Sequence, residues 1–259
     1  MTAATVRPGE PTARVGRDSP GARHDGAVTV AALEREIYSV GEAARLLAVR
    51  PARLRSWVDG YTRGQIHYEP VIRPEHTGSE LITWGEFVEA GYLREYRVRG
   101  VSLQRMRVVV QRMRERFGVL YPLAHARPYV LGRDVVLEVQ EEVGLATSLS
   151  MVRVDDGQLV LAPRAQDFFE KVEFGPGDGS GDAALRLHPD PTTRQVVLDP
   201  LRGFGSPVVR NTRTANLYEL WSAGESIAEI AVAYELPEAD VEAAVRYEAR
   251  LRDRAESAA

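Results

Sequence analysis

The 259-residue chain contains no cysteine, which removes a disulfide framework, a thiolate metal site and a cysteine nucleophile together. No apolar run approaches the roughly 20 residues needed to span a bilayer, and the N-terminus lacks the apolar core of a signal peptide. A cytoplasmic protein without a membrane partner is expected. The five histidines, His24, His67, His76, His125 and His188, show no His-x-x-x-His ligand spacing, so no metal and no other cofactor is expected. There is no Gly-x-Ser-x-Gly elbow. The glycine-rich stretch Phe-Gly-Pro-Gly-Asp-Gly-Ser-Gly-Asp at 174–182 has no following Gly-Lys-Ser/Thr and reads as a flexible loop, not a phosphate cradle. An enzyme is not expected. Lysine is nearly missing too: Lys171 stands alone among 33 basic residues. Arginine richness is therefore a property of the whole chain and by itself says little about any one segment.

What is present is an ordinary globular balance, 44% hydrophobic and 27% charged, sufficient for roughly two domains with cores of their own. The net charge of −4 hides an asymmetry. Between Tyr38 and Gly118 stand fourteen Arg against nine Asp or Glu, a local +5 that leaves −9 for the rest. An electrostatic footprint follows the distribution of charge more than the total.

The basic stretch opens with two helix starts in twenty residues. Ser39 and Glu42 have capping-box spacing, and Val40, Ala43, Ala44 and Leu47 recur as one apolar stripe. Ala48-Val49-Arg50 leaves room only for a tight turn. Pro51 suits the first position of a second helix, and Gly60 suits its stop. Leu54, Trp57 and Val58 give that second helix an inward face. Arg50, Arg53 and Ser56 lie on another line, flanked by Arg55. In a helix-turn-helix the start of the second helix enters the major groove, where Arg50 and Arg53 would face bases and Arg55 the backbone. Short strands at Val71–Arg73 and Glu80–Ile82, with Gly78-Ser79 between them, are expected to form a wing that brings Arg73 and His76 to phosphate or a minor groove. Arg63 is a further backbone contact. A capping box at Thr83 and Glu86 starts a third helix running through Arg94. A Ser102 cap starts a fourth that ends at Gly118, with Leu103, Met106, Val110, Met113 and Phe117 as an apolar seam. That seam either dimerises as a short coiled coil or packs within the chain.

From Pro128 to about Pro200 the apolar period becomes two. Tyr129–Val139 reads as one hairpin, Met151–Leu161 as a second around Asp156-Gly157, and Leu185–His188 with Gln195–Leu198 as a third pair. The last unit repeats the first in outline. Ser226 aligns with Ser39, Glu229 with Glu42, Ala231 with Ala44 and Val241 with Leu54. Its charge does not repeat: Pro237, Asp240 and Glu242 stand where the first has Arg50, Arg53 and Arg55. Carboxylates facing phosphate are repelled, so this unit is expected to bind protein, and Leu217, Trp221, Ile227, Tyr234, Val241 and Tyr247 are its interface candidates.

The expected architecture is therefore α+β. A disordered leader (1–31) precedes an N-terminal winged helix-turn-helix (32–120). A central small antiparallel β region (121–200), an all-α C-terminal helix-turn-helix domain (201–252) and a fraying tail (253–259) follow.

Two resemblances attach to these motifs. Tyr38–Trp57, the wing and Arg97-Val98-Arg99-Gly100-Val101-Ser102-Leu103 resemble the winged-helix DNA-binding domain of MerR-type regulators. The family's Gly-Tyr-Arg-x-Tyr wing is replaced here by Gly78-Ser79-Glu80-Leu81, and its usual coiled-coil or effector tail is absent. Gly205, Pro207, Val208, Arg210, Thr212, Arg213, Gly224, Ser226, Glu229 and Ile230 fit a pattern that resembles a small helical domain of bacterial antitoxins, with Asn211 where glycine is usual. Together they are similar to the antitoxin of a VapBC-type pair. The resemblance implies a homodimeric repressor of its own operon that neutralises a PIN-type ribonuclease toxin, with two basic helices roughly 34–36 Å apart on double-stranded DNA. A stand-alone MerR-like regulator with a ligand- or partner-sensing C-terminal region is the alternative, and a purely structural interaction protein a third.

Overall fold

The computed structural model describes residues 33–97, 102–146, 150–176, 182–190 and 192–258, with side chains through 254. The leader and most of the glycine-rich loop lie outside the described residues.

The chain begins with strand β1 (Glu36–Ser39), which feeds directly into helix α1 (Val40–Leu46). The Ser39 side chain accepts the Glu42 N–H at 3.2 Å, the forward half of the expected box. Helix α2 (Pro51–Val58) opens on Pro51 after the short turn, as proline at a first helical position requires. Its apolar face puts Leu54, Trp57 and Val58 into the core.

The hairpin expected between Val71 and Ile82 does not form. A hairpin forms earlier, from β2 (Tyr61–Arg63) and β3 (Ile66–Tyr68). Val71–Arg73 forms no strand: the Val71 and Ile72 N–H groups donate to the Trp57 carbonyl at 2.9 and 3.0 Å, tying this segment beneath α2. Strand β4 (Leu81–Thr83) pairs with β1, not with residues 71–73. Its last residue, Thr83, completes a reciprocal capping box with Glu86 at the start of α3 (Trp84–Arg97). This helix is buried around most of its circumference and forms the centre of the molecule.

Helix α4 (Leu103–Phe117) starts on the Ser102 cap and stops at Gly118. Met106, Val109, Val110, Met113 and Phe117 are buried. The seam packs inside the chain, on a 3₁₀ turn at Pro122–Ala124 and on a helix that was expected to be a strand. Residues 127–142 form α5 (Arg127–Val130) and α6 (Arg133–Glu142), not a hairpin. Their β-branched residues favour a strand by propensity, but Val136, Val139 and Gln140 share one helical face, and tertiary burial decides. Gln140 anchors that face: its side chain accepts the Met151 and Val152 N–H groups at 2.6 and 3.0 Å and donates to the Val152 carbonyl at 2.9 Å. Gly132 permits the approach, since a Cβ there would sit 2.6 Å from the Phe117 ring.

The second hairpin is as expected, with β5 (Val152–Asp155) and β6 (Gln158–Leu161) joined through Asp156 and Gly157, both at positive φ. Helix α7 (Pro163–Phe169) leads into β7 (Val172–Gly175), which pairs with β8 (Ala183–Leu187). The expected third pair survives only as a single bridge between Leu187 and Leu198. Its second half, β9 (Val196–Val197), instead joins β10 (Val208–Val209) and β11 (Thr212–Arg213) in a three-stranded antiparallel sheet. The turn before β11 is left-handed at Arg210, φ 53°, and not at Asn211. Helices α8 (Thr214–Ser222), α9 (Ile227–Ala233) and α10 (Glu238–Ala258) close the chain, α10 running six residues past Arg252. The fold is thus mixed α+β, with small antiparallel sheets and a helical C-terminal region. Among the described residues no helix is long and apolar enough to cross a membrane.

Candidate nucleic-acid interface

Helix α2 divides its residues as the sequence predicts. Leu54 and Trp57 are buried, and Arg50, Arg53 and Arg55 are exposed. Arg50 is the residue before the proline, so its side chain stands at the open end of the helix. Arg55 forms an ion pair with Glu80, both side chains more than half exposed. Such an exposed pair is worth little and gives way to a stronger anion at small cost. The Ser56 hydroxyl donates to the Arg53 carbonyl at 2.7 Å, so its hydrogen is committed to its own helix and only its lone pairs face outward.

The β2–β3 hairpin follows α2 and is exposed almost throughout. Tyr61 and Tyr68 stack across it with centroids 4.6 Å apart and planes 8° from parallel, and Arg63 lies at its tip opposite Ile66. Thr62, Gln65 and His67 are therefore also presented to solvent. These three were missed. The signal that marks them is the alternation of Tyr61, Arg63, Ile66 and Tyr68 on either side of Gly64, a hairpin pattern tighter than the one around Gly78.

Arg73 is a correction. It is 4% exposed and points inward. Its guanidinium holds Glu86 through two bonds, at 2.8 and 3.2 Å, and Asp59 at 3.1 Å. It also donates to Thr77 Oγ1 and to the Ser79 and Leu81 carbonyls. The residue clamps the 73–81 loop between the end of α2 and the start of α3, and cannot reach phosphate. Burial works against the Asp59 charge, but the Thr77 N–H, Arg73 and the Gly78 N–H outweigh it and hold the carboxyl below its ordinary value. His76 is more exposed, yet its Nδ1 lies 2.8 Å from the Asp59 carbonyl and 2.9 Å from the Asp59 carboxylate. It belongs to the same clamp.

The C-terminal unit keeps the predicted outline. Ser226 and Glu229 form a complete capping box, and Val241, like its counterpart Leu54, is fully buried. Of the six interface candidates, Leu217, Val241 and Tyr247 are buried inside the chain and are corrected to core positions. Trp221 and Tyr234 are exposed, and Ile227 is half-buried. Val232, 81% exposed, was missed. Its signal is an apolar residue off the stripe that Ile230 and Ala231 turn inward. Among the described residues no group of three metal-ligating side chains comes together.

Comparison with known proteins places this architecture. A family model described as "Protein of unknown function (DUF433)" matches residues 196–247, from β9 into α10 and across the Gly205–Ile230 motif. A crystal structure of Rv2018 from Mycobacterium tuberculosis superposes with a TM-score of 0.65 at 26% identity, covering 82% of this chain and 99% of that one. "Putative antitoxin VapB45" of the same organism is 28% identical over 213 residues, 76% of this chain and 87% of the relative. The uncharacterized protein Rv2308, also from that organism, is 30% identical over 225 residues, 85% of this chain and 93% of the relative. The chain therefore belongs to the family of Rv2308 and contains a DUF433 region at its C-terminal end.

Proposed function

We propose that this chain is the antitoxin of a type II toxin–antitoxin pair, which represses its own operon and neutralises a PIN-type ribonuclease toxin. It acts by binding, not catalysis. The observation that carries the DNA half of the reading is the division of α2, with Arg50 and Arg53 in solvent over a helix seated by Leu54 and Trp57. In this reading α1 and α2 are a helix-turn-helix of MerR type, the Tyr61–Tyr68 hairpin is its wing, and Arg63 replaces Arg73 as the wing's phosphate contact. The similarity to a relative named as an antitoxin supports the toxin half. The toxin surface, or that of a second copy, is the exposed apolar set Trp221, Val232 and Tyr234, set among the carboxylates of α9 and α10.

Fluorescence anisotropy on DNA from upstream of the gene, against scrambled DNA and across a salt series, tests the reading. Preference for the upstream DNA, with affinity falling steeply as salt rises, is the expected result. Absence of binding to both would leave Arg50 and Arg53 as surface charge and overturn it.

A further inference from the structure

We propose that the crevice between the α1–α2 turn, α3 and α7 binds a short-chain aliphatic monocarboxylate. Leu47, Phe87, Phe168, Leu187 and Leu198 wall a space of about 50 Å³, and all five are buried. A single water needs roughly 10–15 Å³ of such space, so the crevice suits a chain of about three to five heavy atoms.

Gly91 keeps this space open. It lies in the middle of α3, where glycine is a poorer helix former than alanine. A Cβ at this position would meet Phe168 Cε2 at 3.5 Å and Leu47 Cδ2 at 3.6 Å, which are ordinary contact distances. Packing therefore does not demand the missing side chain. Gly85 of the same helix is different, since a Cβ there would lie 2.3 Å from the Tyr121 ring. Packing accounts for Gly85, and the crevice accounts for Gly91.

The charges at the crevice follow the same helix face. Phe87 precedes Gly91 by four residues, and Arg94 and Glu95 follow it by three and four, so these side chains line up along one side of α3. That side runs from apolar at Phe87, across the gap at Gly91, to charged at Arg94 and Glu95. Arg94 and Lys171 donate to the same Glu95 oxygen, at 3.3 and 3.2 Å, so two cations share one carboxylate. Arg254 borders the crevice from α10, is exposed and makes no ion pair among the described residues. The unmatched charge is positive. A carboxylate at Arg94 and Lys171, with its alkyl chain toward Phe87 and Phe168, matches both ends. An alkylammonium would be repelled, and a neutral amide would leave the excess charge unanswered. The site stands independently of the DNA and toxin reading.

Saturation-transfer NMR titrations of the full chain with propionate, butyrate, isobutyrate and valerate test the proposal, with butyramide and butylamine as probes of similar size and different charge. At least one acid is expected to bind saturably, with both probes at least tenfold weaker. Gly91→Ala places a methyl in the gap and is expected to weaken that acid at least fivefold without lowering the thermal unfolding midpoint. Arg94→Met, which leaves Glu95 its bond to Lys171, is expected to weaken it at least tenfold. Saturable binding by no acid, equal binding by butyramide or butylamine, or unchanged binding in either variant would each overturn the proposal.

Discussion

The Tyr38 hydroxyl donates to the Gly205 carbonyl at 2.6 Å, across 167 residues of sequence. The bond is buried and ties the strand that launches α1 to the loop that opens the DUF433 region. Gly205 has φ +75°, and a Cβ there would lie 2.8 Å from the Tyr38 oxygen and 2.9 Å from Ile37 Cδ1. The Tyr38 ring is fully buried and held by this bond, so it cannot swing away.

The first prediction concerns this junction. Gly205→Ala is expected to cost about 1–3 kcal/mol through backbone strain alone, before the clash with Tyr38 is counted. Tyr38→Phe leaves the Gly205 carbonyl buried without its donor, at about 1–3 kcal/mol. Urea unfolding of both variants checks this, and unchanged midpoints would show that the junction does not contribute to stability.

Arg73 and Arg53 separate structure from recognition. Arg73→Met leaves Asp59 and Glu86 uncompensated in a buried setting and is expected to destabilise the fold by about 3–5 kcal/mol. Arg53→Ala is expected to leave the unfolding midpoint unmoved while weakening operator DNA binding by about 1–3 kcal/mol. Thermal unfolding and anisotropy on the same two proteins would expose a reversal of these roles.

Toxin binding provides a further separation. Val232→Asp places a charge at an exposed apolar position and is expected to weaken toxin binding at least tenfold without altering DNA binding. Arg53→Ala is expected to leave toxin binding intact. Pull-down of the co-expressed toxin reads both, and equal loss of the two activities in either variant would refute the division of labour.

Glu89 sets a pH dependence. Burial pushes its carboxyl up to about 8, against the weaker opposing effects of Arg114 and the Leu123 N–H. That N–H donates to one carboxyl oxygen at 3.0 Å, and the other is buried with no hydrogen-bond partner among the described residues. The folded state therefore keeps a proton that the unfolded chain releases above its ordinary value of 4.5. Stability is expected to fall as pH rises from about 4.5 to about 8 and then to level off. Glu89→Gln should remove this component of the slope and be more stable than the parent at pH 8. Urea midpoints across that range decide it, and identical slopes would refute it.

What could be read from the sequence was local. Ser39, Pro51, Thr83, Ser102 and Ser226 start their helices because each start depends on a cap or a ring within three or four residues. Asp156-Gly157 makes its hairpin because its two residues supply the positive φ values themselves. The exposure of Arg50 and Arg53 was also legible, because Leu54 and Trp57 fix which side of α2 turns inward. The errors concern long-range choices. Whether Arg73 turned to solvent or to Asp59 and Glu86 depended on where the α2–α3 corner closed. Residues 133–142 became a helix because the Gln140 side and α4 offered it a buried seat, against its β-branched propensity. Leu217, Val241 and Tyr247 are apolar whether they face a partner or their own core. Only packing distinguishes those cases, since local sequence sets backbone conformation within a turn or two, while the direction in which a face is buried is settled by residues a hundred positions away, as Tyr38 is by Gly205.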